Sequence, residues 1–182
     1  MSVRSLKGSR GLSVREICVF AVLGALMFAS KIAMDLLPNI HLLGMFIVLY
    51  TAVYRIKALI PIYIFVVITG LYGGFATWWL PYLYIWAVLW GMAMLIPPTC
   101  NRVLRMILYP AVCSLHGFLY GVLYAPAQAL IFGLDFQQML AWIAAGLPFD
   151  VTHGISNLFT GMLVLPLSDV MMRVEARHRP RK

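Results

Sequence analysis

The chain has 182 residues, of which 63% are hydrophobic and only 11% are charged, and its mean hydropathy is +0.90. A soluble domain carries roughly 25% charged residues, so this composition excludes a water-soluble fold and indicates that the bilayer is the solvent for most of the chain. The formal net charge is +8, but the basic residues fall between apolar runs, so membrane topology explains them better than nucleic-acid binding.

Charge-free stretches predict an all-α integral membrane protein with six transmembrane helices, because a helix needs roughly 20 apolar residues to cross the hydrocarbon. The first helix is expected at 17–30 and the residues that flank this range, and the second at 36–54 after a turn at Pro38–Asn39. The third and fourth are expected in the two halves of 58–100, the fifth at 106–134 and the sixth at 144–167. A turn around 73–81 separates the third helix from the fourth. The fourth ends at Pro97–Pro98, because proline cannot continue a helix, and Pro126 is expected to bend the fifth.

The basic residues fall on one side of this topology. The two tails, the loop with Arg55 and Lys57 and the loop with Arg102 and Arg105 hold 13 of the 14, leaving Lys31 on the other side. The positive-inside rule therefore places both termini in the cytoplasm. We expect a compact bundle over residues 15–170, between cytoplasmic basic tails at 1–14 and 171–182.

Polar residues inside the predicted spans are candidates for function, because a charge near the bilayer centre costs at least ~2.5 kcal/mol. Three sets recur at spacings of three or four, which places each set on one helical face: Tyr82, Trp86 and Trp90 on the fourth helix, His116, Tyr120, Tyr124 and Gln128 on the fifth, and Asp150, His153 and Asn157 on the sixth. With Trp79 in the outer turn and Asn39 and His41 in the first outer loop, they predict a pocket with aromatic walls for a planar, water-soluble ligand.

Other interpretations of these residues stay open. An Asp150–His116 or a His153–Tyr120 hydrogen bond could serve only to hold helices together, and the aromatic cluster near Trp79 fits an interfacial belt equally well. Two histidines and an aspartate could bind a metal. The chain lacks zinc-protease, serine-hydrolase and P-loop motifs, however, so we expect no metal, no cofactor, no catalytic residue and no ATP hydrolysis by this chain.

From about residue 13 to residue 170 the chain resembles the S components of energy-coupling-factor (ECF) vitamin transporters. The resemblance rests on size, six spans, cytoplasmic ends and local strings. Ala21 and Ala25, followed by Ala29, match the Ala-x-x-x-Ala pattern with which S components pack against the shared transmembrane T subunit, and small residues one turn apart let helices meet closely in lipid. The strings at 39–42, 120–128 and 148–154 look like an uncharacterised bacterial branch of the family.

The resemblance implies a multi-pass protein of the bacterial plasma membrane that binds a vitamin or cofactor precursor near the outer face, through helices 4 to 6 and the first outer loop. Its partners would be the T subunit and two cytoplasmic ATPase subunits, which drive the S component to topple and release substrate inside. Riboflavin, thiamine, folate, queuine and cobalamin precursors stay open as substrates. The alternative functions are a stand-alone channel or secondary carrier, and an intramembrane metal-dependent enzyme.

Overall fold

The computed structural model describes residues 11–37 and 39–177, and this part of the chain contains helices and no β-strand. Its eight α-helices are α1 Val14–Ala33, α2 Leu43–Tyr54, α3 Leu59–Gly73, α4 Tyr82–Met94, α5 Arg102–Phe118, α6 Tyr120–Phe132, α7 Phe136–Gly161 and α8 Val164–Arg177. A short 3₁₀ turn at Arg55–Ala58 joins α2 to α3, and another at Thr77–Trp79 precedes α4. The all-helical fold predicted from composition is confirmed for the described residues.

The chain reverses direction between α2 and α3. Lys57, in the turn before α3, pairs with Glu16 at the start of α1, whereas Tyr72 at the end of α3 packs on Phe28 near the end of α1, with ring centroids 5.3 Å apart. Thus α3 runs parallel to α1, and α2, which enters the same turn, runs antiparallel to both. Arg55 makes the reversal with a φ of 53°, a value that non-glycine residues adopt mainly at turns.

The second half of the described chain is a long antiparallel pair. α5 and α6 form one stretch, Arg102–Phe132, interrupted only at Leu119. α7 runs back along it and continues into α8 after a 45° bend. The interruption lies at Leu119 rather than at Pro126, where the sequence predicted a bend, and Pro126 lies inside α6.

Two predicted helix boundaries differ from the structure. α7 begins at Phe136 rather than near residue 144, because the Asp135 side chain accepts from the Gln138 amide and the Gln138 side chain accepts from the Asp135 amide, closing a capping box. At the other end, α8 continues to Arg177, ten residues beyond the predicted end of the sixth helix at 167.

Charged side chains gather at one end of the bundle, which we call the basic end and define by Arg15, Arg55, Lys57 and Arg102. Arg15 pairs with Glu175 of α8 at 2.9 Å, and Arg102 pairs with Asp169 at 2.6 Å. The opposite, distal end holds the loop between α1 and α2 and the 3₁₀ turn at Thr77–Trp79. Among the lysines and arginines that the structure describes, Lys31 alone lies there, paired with Asp35 at 3.2 Å.

α2 lies at the centre of the fold. Every residue from 43 to 51 is buried, and α2 contacts α1, α4, α5, α7 and α8. The outer surface is apolar instead of polar: Val22 on α1, Leu130 on α6 and Phe159 on α7 are all more than half exposed. A buried centre with an apolar outer surface is consistent with a membrane protein.

Three helical stretches of the described chain are long and apolar enough to cross a membrane: Val14–Ala33, Leu43–Gly73 and Arg102–Phe132. The bent pair of α7 and α8 makes a fourth if it is counted as one span. Because the second stretch is the hairpin of α2 and α3, the described chain makes six passes between the two ends of the bundle: α1, α2, α3, α4, α5 with α6, and α7 with α8.

Candidate functional site

Six of the residues singled out from the sequence come together in the half of the bundle nearer the distal end. They lie on three different passes and one loop, and form what we call the aromatic–histidine cluster: His41, Tyr82, Trp86, His116, Tyr120 and His153. The four-residue spacing of Tyr82 and Trp86 directs both into the bundle from α4. His116 and Tyr120 belong to the last turn of α5 and the first residue of α6, and face His153 on α7.

Trp86 is the centre of this cluster. Its ring centroid lies 5.3 Å from Tyr82, 5.9 Å from Tyr120, 6.0 Å from His116 and 6.3 Å from His41. The side chain is 2% exposed. The indole thus forms a flat wall at which α4, α5, α6 and the first distal loop meet.

Four residues of the cluster contain a buried polar atom that has no hydrogen-bond partner in the described structure: Nδ1 of His41, Nε1 of Trp86, Nδ1 of His116 and Nε2 of His153. Both amide atoms of Asn157, one turn along α7 from His153, are also buried and unpaired. Each such atom costs about 1–3 kcal/mol when it is left unpaired. Most buried polar groups in folded proteins are paired, with protein or with an ordered molecule. So many unpaired atoms within one cluster indicate that water or a ligand completes them.

The hydrogen bond of His116 fixes its tautomer. Nε2 lies 3.1 Å from the carbonyl oxygen of Ile85, and a carbonyl oxygen only accepts, so Nε2 carries the proton. Nδ1 of the neutral ring is therefore an acceptor. It is buried and unpaired.

Asp150 binds backbone rather than either predicted partner. Its two carboxylate oxygens accept from the Gly121 amide at 3.0 and 3.1 Å. Gly121 lies in the first turn of α6, directly after the interruption at Leu119, so Asp150 caps a helix N-terminus from the neighbouring helix. A Cβ at residue 121 would run into the carboxylate, which explains why glycine stands there. No bond joins Asp150 to His116.

His153 and Asn157 continue the polar face of α7 toward the centre of the bundle. His153 packs on Tyr120, with centroids 4.8 Å apart, but its Nε2 makes no hydrogen bond. Asn157 is fully buried, and glycines at 44 and 117 let α2 and α5 approach it: a Cβ would lie 3.3 Å from its side chain at Gly44 and 2.9 Å from it at Gly117.

Two predicted residues on α6 lie beside the cluster. The Tyr124 hydroxyl donates to the carbonyl oxygen of Trp78 at 2.8 Å, and its ring stacks on Trp142 at 5.9 Å. Gln128 lies one turn further along, next to Tyr124. Tyr124 thus ties α6 to the distal turn and to α7.

Trp79 and Trp90 point away from the cluster. The Trp79 indole donates to the carbonyl oxygen of Val66 at 2.8 Å and packs on Phe75. Its neighbour Trp78, which the sequence analysis did not choose for the site, is the one that contacts Tyr82, at 5.7 Å. The sequence offers no basis for choosing between Trp78 and Trp79, because both lie in the irregular turn before α4, where the direction of a side chain follows no fixed period.

The loop between α1 and α2 covers the cluster from the distal end. His41 stacks edge-on against His153 at 4.4 Å. Burial lowers the pKa of His41 to about 4, so the ring is neutral at pH 7. Asn39 has a positive φ of 60°, and its carbonyl oxygen accepts from the Ser156 hydroxyl, which ties the loop to α7.

A cavity of about 140 Å³ opens at the distal end above the cluster. Lys31, Asp35 and Asn39 line it together with His41 and Tyr82, which also belong to the cluster. A larger cavity of about 590 Å³ lies at the basic end, between α1, α2 and α8. None of the predicted binding residues lines that larger cavity.

The three alanines of the predicted coupling face lie on the outside of α1. Ala21, Ala25 and Ala29 are exposed, whereas Phe20 and Gly24 on the opposite face are buried. The small-residue face is thus accessible to another helix.

Although three histidines contribute to the cluster, no group of three or more His, Cys, Asp or Glu residues within 11–37 and 39–177 is arranged to hold a metal ion. Comparison with known proteins adds no relative: no family model, no curated protein and no solved structure matches the chain.

Proposed function

We propose that this protein is the membrane-embedded substrate-binding subunit of an ECF-type importer, and that it takes up a vitamin or related cofactor precursor across a bacterial plasma membrane. The observation that carries the proposal is the aromatic–histidine cluster with its unpaired polar atoms. Flat aromatic walls and a few hydrogen-bonding groups in a largely buried setting are what a small ring compound requires of its site.

The position of the cluster supports uptake from outside. The basic end faces the cytoplasm by the positive-inside rule, so the six passes cross the membrane and both termini are cytoplasmic. The cluster and the cavity above it then open to the exterior, where an S component takes up its substrate.

The exposed face of α1 supports coupling to a partner. Ala21, Ala25 and Ala29 form a smooth strip along which a helix of the T subunit approaches closely. Two ATPase subunits below the T subunit then supply the energy, as the resemblance to S components implies.

The first experiment is native mass spectrometry of the purified protein, followed by thermal denaturation with a panel of vitamins. A ligand at 100 times its dissociation constant stabilises the folded state by about 2.7 kcal/mol, so a bound ring compound or a clear rise in Tm supports the proposal. Transport in cells that lack every ATPase partner would instead support a stand-alone channel or carrier. A metal that is retained through purification and needed for turnover would instead support an intramembrane metal-dependent enzyme.

A further inference from the structure

The cavity of about 590 Å³ at the basic end lies where two helices of the bundle diverge. α1 packs mainly against α3, and α8 packs mainly against α2, so a gap remains between α1 and α8 beside α2. Its volume is within the range of about 300–1,000 Å³ that ligand pockets occupy. We call it the basic-end cavity and define it by its charged lining residues, Arg15, Glu16, Lys57 and Glu175.

All three walls of this cavity change from charged to apolar within one helical turn. The charged residues lie nearest the basic end, and apolar residues follow one turn deeper in the bundle: Val19 and Phe20 after Arg15 and Glu16 on α1, Val53 beside Lys57 at the end of α2, and Met172 beside Glu175 on α8. The charged residues pair across the cavity, so the change occurs at one depth in all three walls. The boundary between headgroups and hydrocarbon presents the same change in polarity to a lipid, and a water-soluble ligand has no need of it.

The charges that line the basic-end cavity balance one another. Arg15 pairs with Glu175 at 2.9 Å, and Lys57 pairs with Glu16. All four side chains remain partly exposed. A ligand with a net charge would have no matching excess of opposite charge among these residues, whereas a zwitterion meets an opposite charge at each of its two ends.

Each ion pair leaves hydrogen-bonding capacity for a ligand. A guanidinium and an ammonium each have several N–H donors, and within the described residues Arg15 and Lys57 are each paired with one carboxylate. Glu175 accepts from the Tyr54 hydroxyl at 3.0 Å as well as pairing with Arg15, and a carboxylate provides about four acceptor sites. The cavity therefore offers donors for a phosphate and acceptors for an ammonium without the loss of either pair.

We propose that the basic-end cavity binds one phospholipid whose headgroup is a zwitterion with a primary ammonium, as in phosphatidylethanolamine. Its phosphate meets Arg15 and Lys57, its ammonium meets Glu175, and an acyl chain lies along Val19 and Phe20. The lipid fills the gap and connects α8 to α1. The site goes beyond the proposed uptake function and requires only that the basic end lies at a membrane interface, on either side.

A general attraction between the basic end and anionic lipids is the competing explanation for any bound lipid. Clusters of lysine and arginine beside a membrane attract anionic headgroups. That attraction is spread over the surface and is screened by salt, and it requires neither a cavity nor an ammonium. Dependence on the N–H groups of the headgroup and on the space in the cavity therefore distinguishes the two.

The test is native mass spectrometry of the purified, delipidated full-length protein in detergent, mixed with lipids that share the same acyl chains. The probes are phosphatidylethanolamine, its mono-, di- and trimethylated forms, which keep the positive charge and lose the N–H donors in steps, and phosphatidylglycerol as the anionic lipid. We expect one phosphatidylethanolamine per protein, and several-fold weaker retention of the trimethylated form, because a site built to hydrogen-bond a group rejects the analogue that lacks it. Glycerophosphoethanolamine, which has no acyl chains, is expected to compete poorly.

Three variants at the basic end test the position of the lipid. Ala176→Trp fills the cavity from an exposed position on α8 and is expected to remove the bound lipid without changing the Tm of the delipidated protein. Glu175→Gln removes the charge that faces the ammonium and is expected to weaken retention of phosphatidylethanolamine several-fold. Asp169→Asn is the control, because it breaks the ion pair with Arg102 away from this cavity, and it is expected to retain the lipid.

Equal retention of phosphatidylethanolamine and its trimethylated form, or tighter and salt-dependent retention of phosphatidylglycerol, overturns the zwitterionic site. Competition by glycerophosphoethanolamine as strong as that of the lipid overturns the assignment to a lipid. Retention at the wild-type level in Ala176→Trp places the lipid elsewhere, and absence of any retained lipid also overturns the proposal. None of these outcomes bears on the proposed uptake function, which the vitamin panel tests separately.

Discussion

At the scale of single residues, Asp150 illustrates how an acidic group inside a span acquires a structural role. Intramembrane carboxylates are functional candidates by default, and the sequence places this one on the same helical face as His153 and Asn157. The structure binds it to the Gly121 amide instead. The break at Leu119 leaves the start of α6 in need of an acceptor, and no periodicity in the sequence reveals that break.

We therefore expect Asp150→Leu to destabilise the protein by about 1–3 kcal/mol, because the buried Gly121 amide loses its acceptor. Asp150→Asn keeps an acceptor oxygen and is expected to cost less. Thermal denaturation in detergent, read alongside ligand affinity, tests both variants. Loss of ligand binding in Asp150→Asn at unchanged Tm would show instead that the carboxylate contacts the substrate.

The two tryptophans of α4 provide a matched pair for testing the site. Trp86→Leu removes the central wall of the cluster and is expected to lower ligand affinity at least tenfold. Trp90→Leu removes an indole of the same size one turn away, where it donates to the Arg55 carbonyl, and is expected to lower Tm without lowering affinity. Calorimetry with whichever ligand the protein retains is the measurement, and equal losses of affinity in both variants would contradict the assignment.

At the scale of elements, two features lead to specific experiments: the exposed alanine face of α1 and the distal loop between α1 and α2. The sequence predicted both the alanine strip and the position of His41 in the outer loop. It could not predict how far the loop enters the bundle, since that depends on contacts with α4 and α7 that are remote in sequence.

Ala21→Trp is expected to abolish transport in cells that express the full importer while leaving ligand affinity unchanged, because the bulky ring prevents close helix contact. Leu26→Trp is the control: Leu26 is also exposed on α1 but lies about 100° around the helix from Ala25. Uptake assays and calorimetry test the pair. Loss of binding together with transport in Ala21→Trp would remove the evidence for a coupling role.

The distal loop is expected to respond to acid through His41. Its pKa is about 4 when the loop is packed and near 6.5 when the ring is free in water. A lowered pKa means that protonation favours the open loop, so packing of the loop is fully favourable above about pH 6.5 and weakens as the pH falls toward 4. Labelling of a cysteine at Leu37 should accelerate over that range, and His41→Phe should flatten the profile. An unchanged profile in His41→Phe would assign the effect to another group facing the loop, such as His153, His116 or Asp35.

At the scale of the whole molecule, the fold was more predictable than the site. Charge-free runs predicted an all-helical chain, and the described residues are helical, with three or four stretches long and apolar enough to cross a membrane. The structure also gathers Arg15, Lys57 and Arg102 at one end, as the predicted topology requires. The site was predicted only in part. Helical spacing identifies which residues share a face, but it does not show that Asp150 and Tyr124 form hydrogen bonds with backbone groups.

The orientation is tested by labelling single cysteines in intact cells with an impermeant maleimide, on a background in which the three native cysteines are replaced. Leu37→Cys at the distal end is expected to react, and Thr99→Cys in the α4–α5 loop at the basic end is expected to react only after lysis. Both positions are exposed in the structure. The opposite pattern would invert the topology and with it the proposal of uptake from outside.

The shortness of α2 has a consequence for the energetics of entry. Its 12 residues span about 18 Å at ~1.5 Å per residue, whereas the hydrocarbon is about 30 Å thick. In the proposed orientation the basic end of α2 lies at the cytoplasmic interface, so its distal end at Leu43 lies roughly 12 Å below the outer interface. A ligand beside His41 would then have moved through part of the membrane's electric field. A unit charge that crosses the whole membrane exchanges about 2.3 kcal/mol per 100 mV. Loading of a charged substrate would therefore vary with membrane voltage, and loading of a neutral ring would be independent of it.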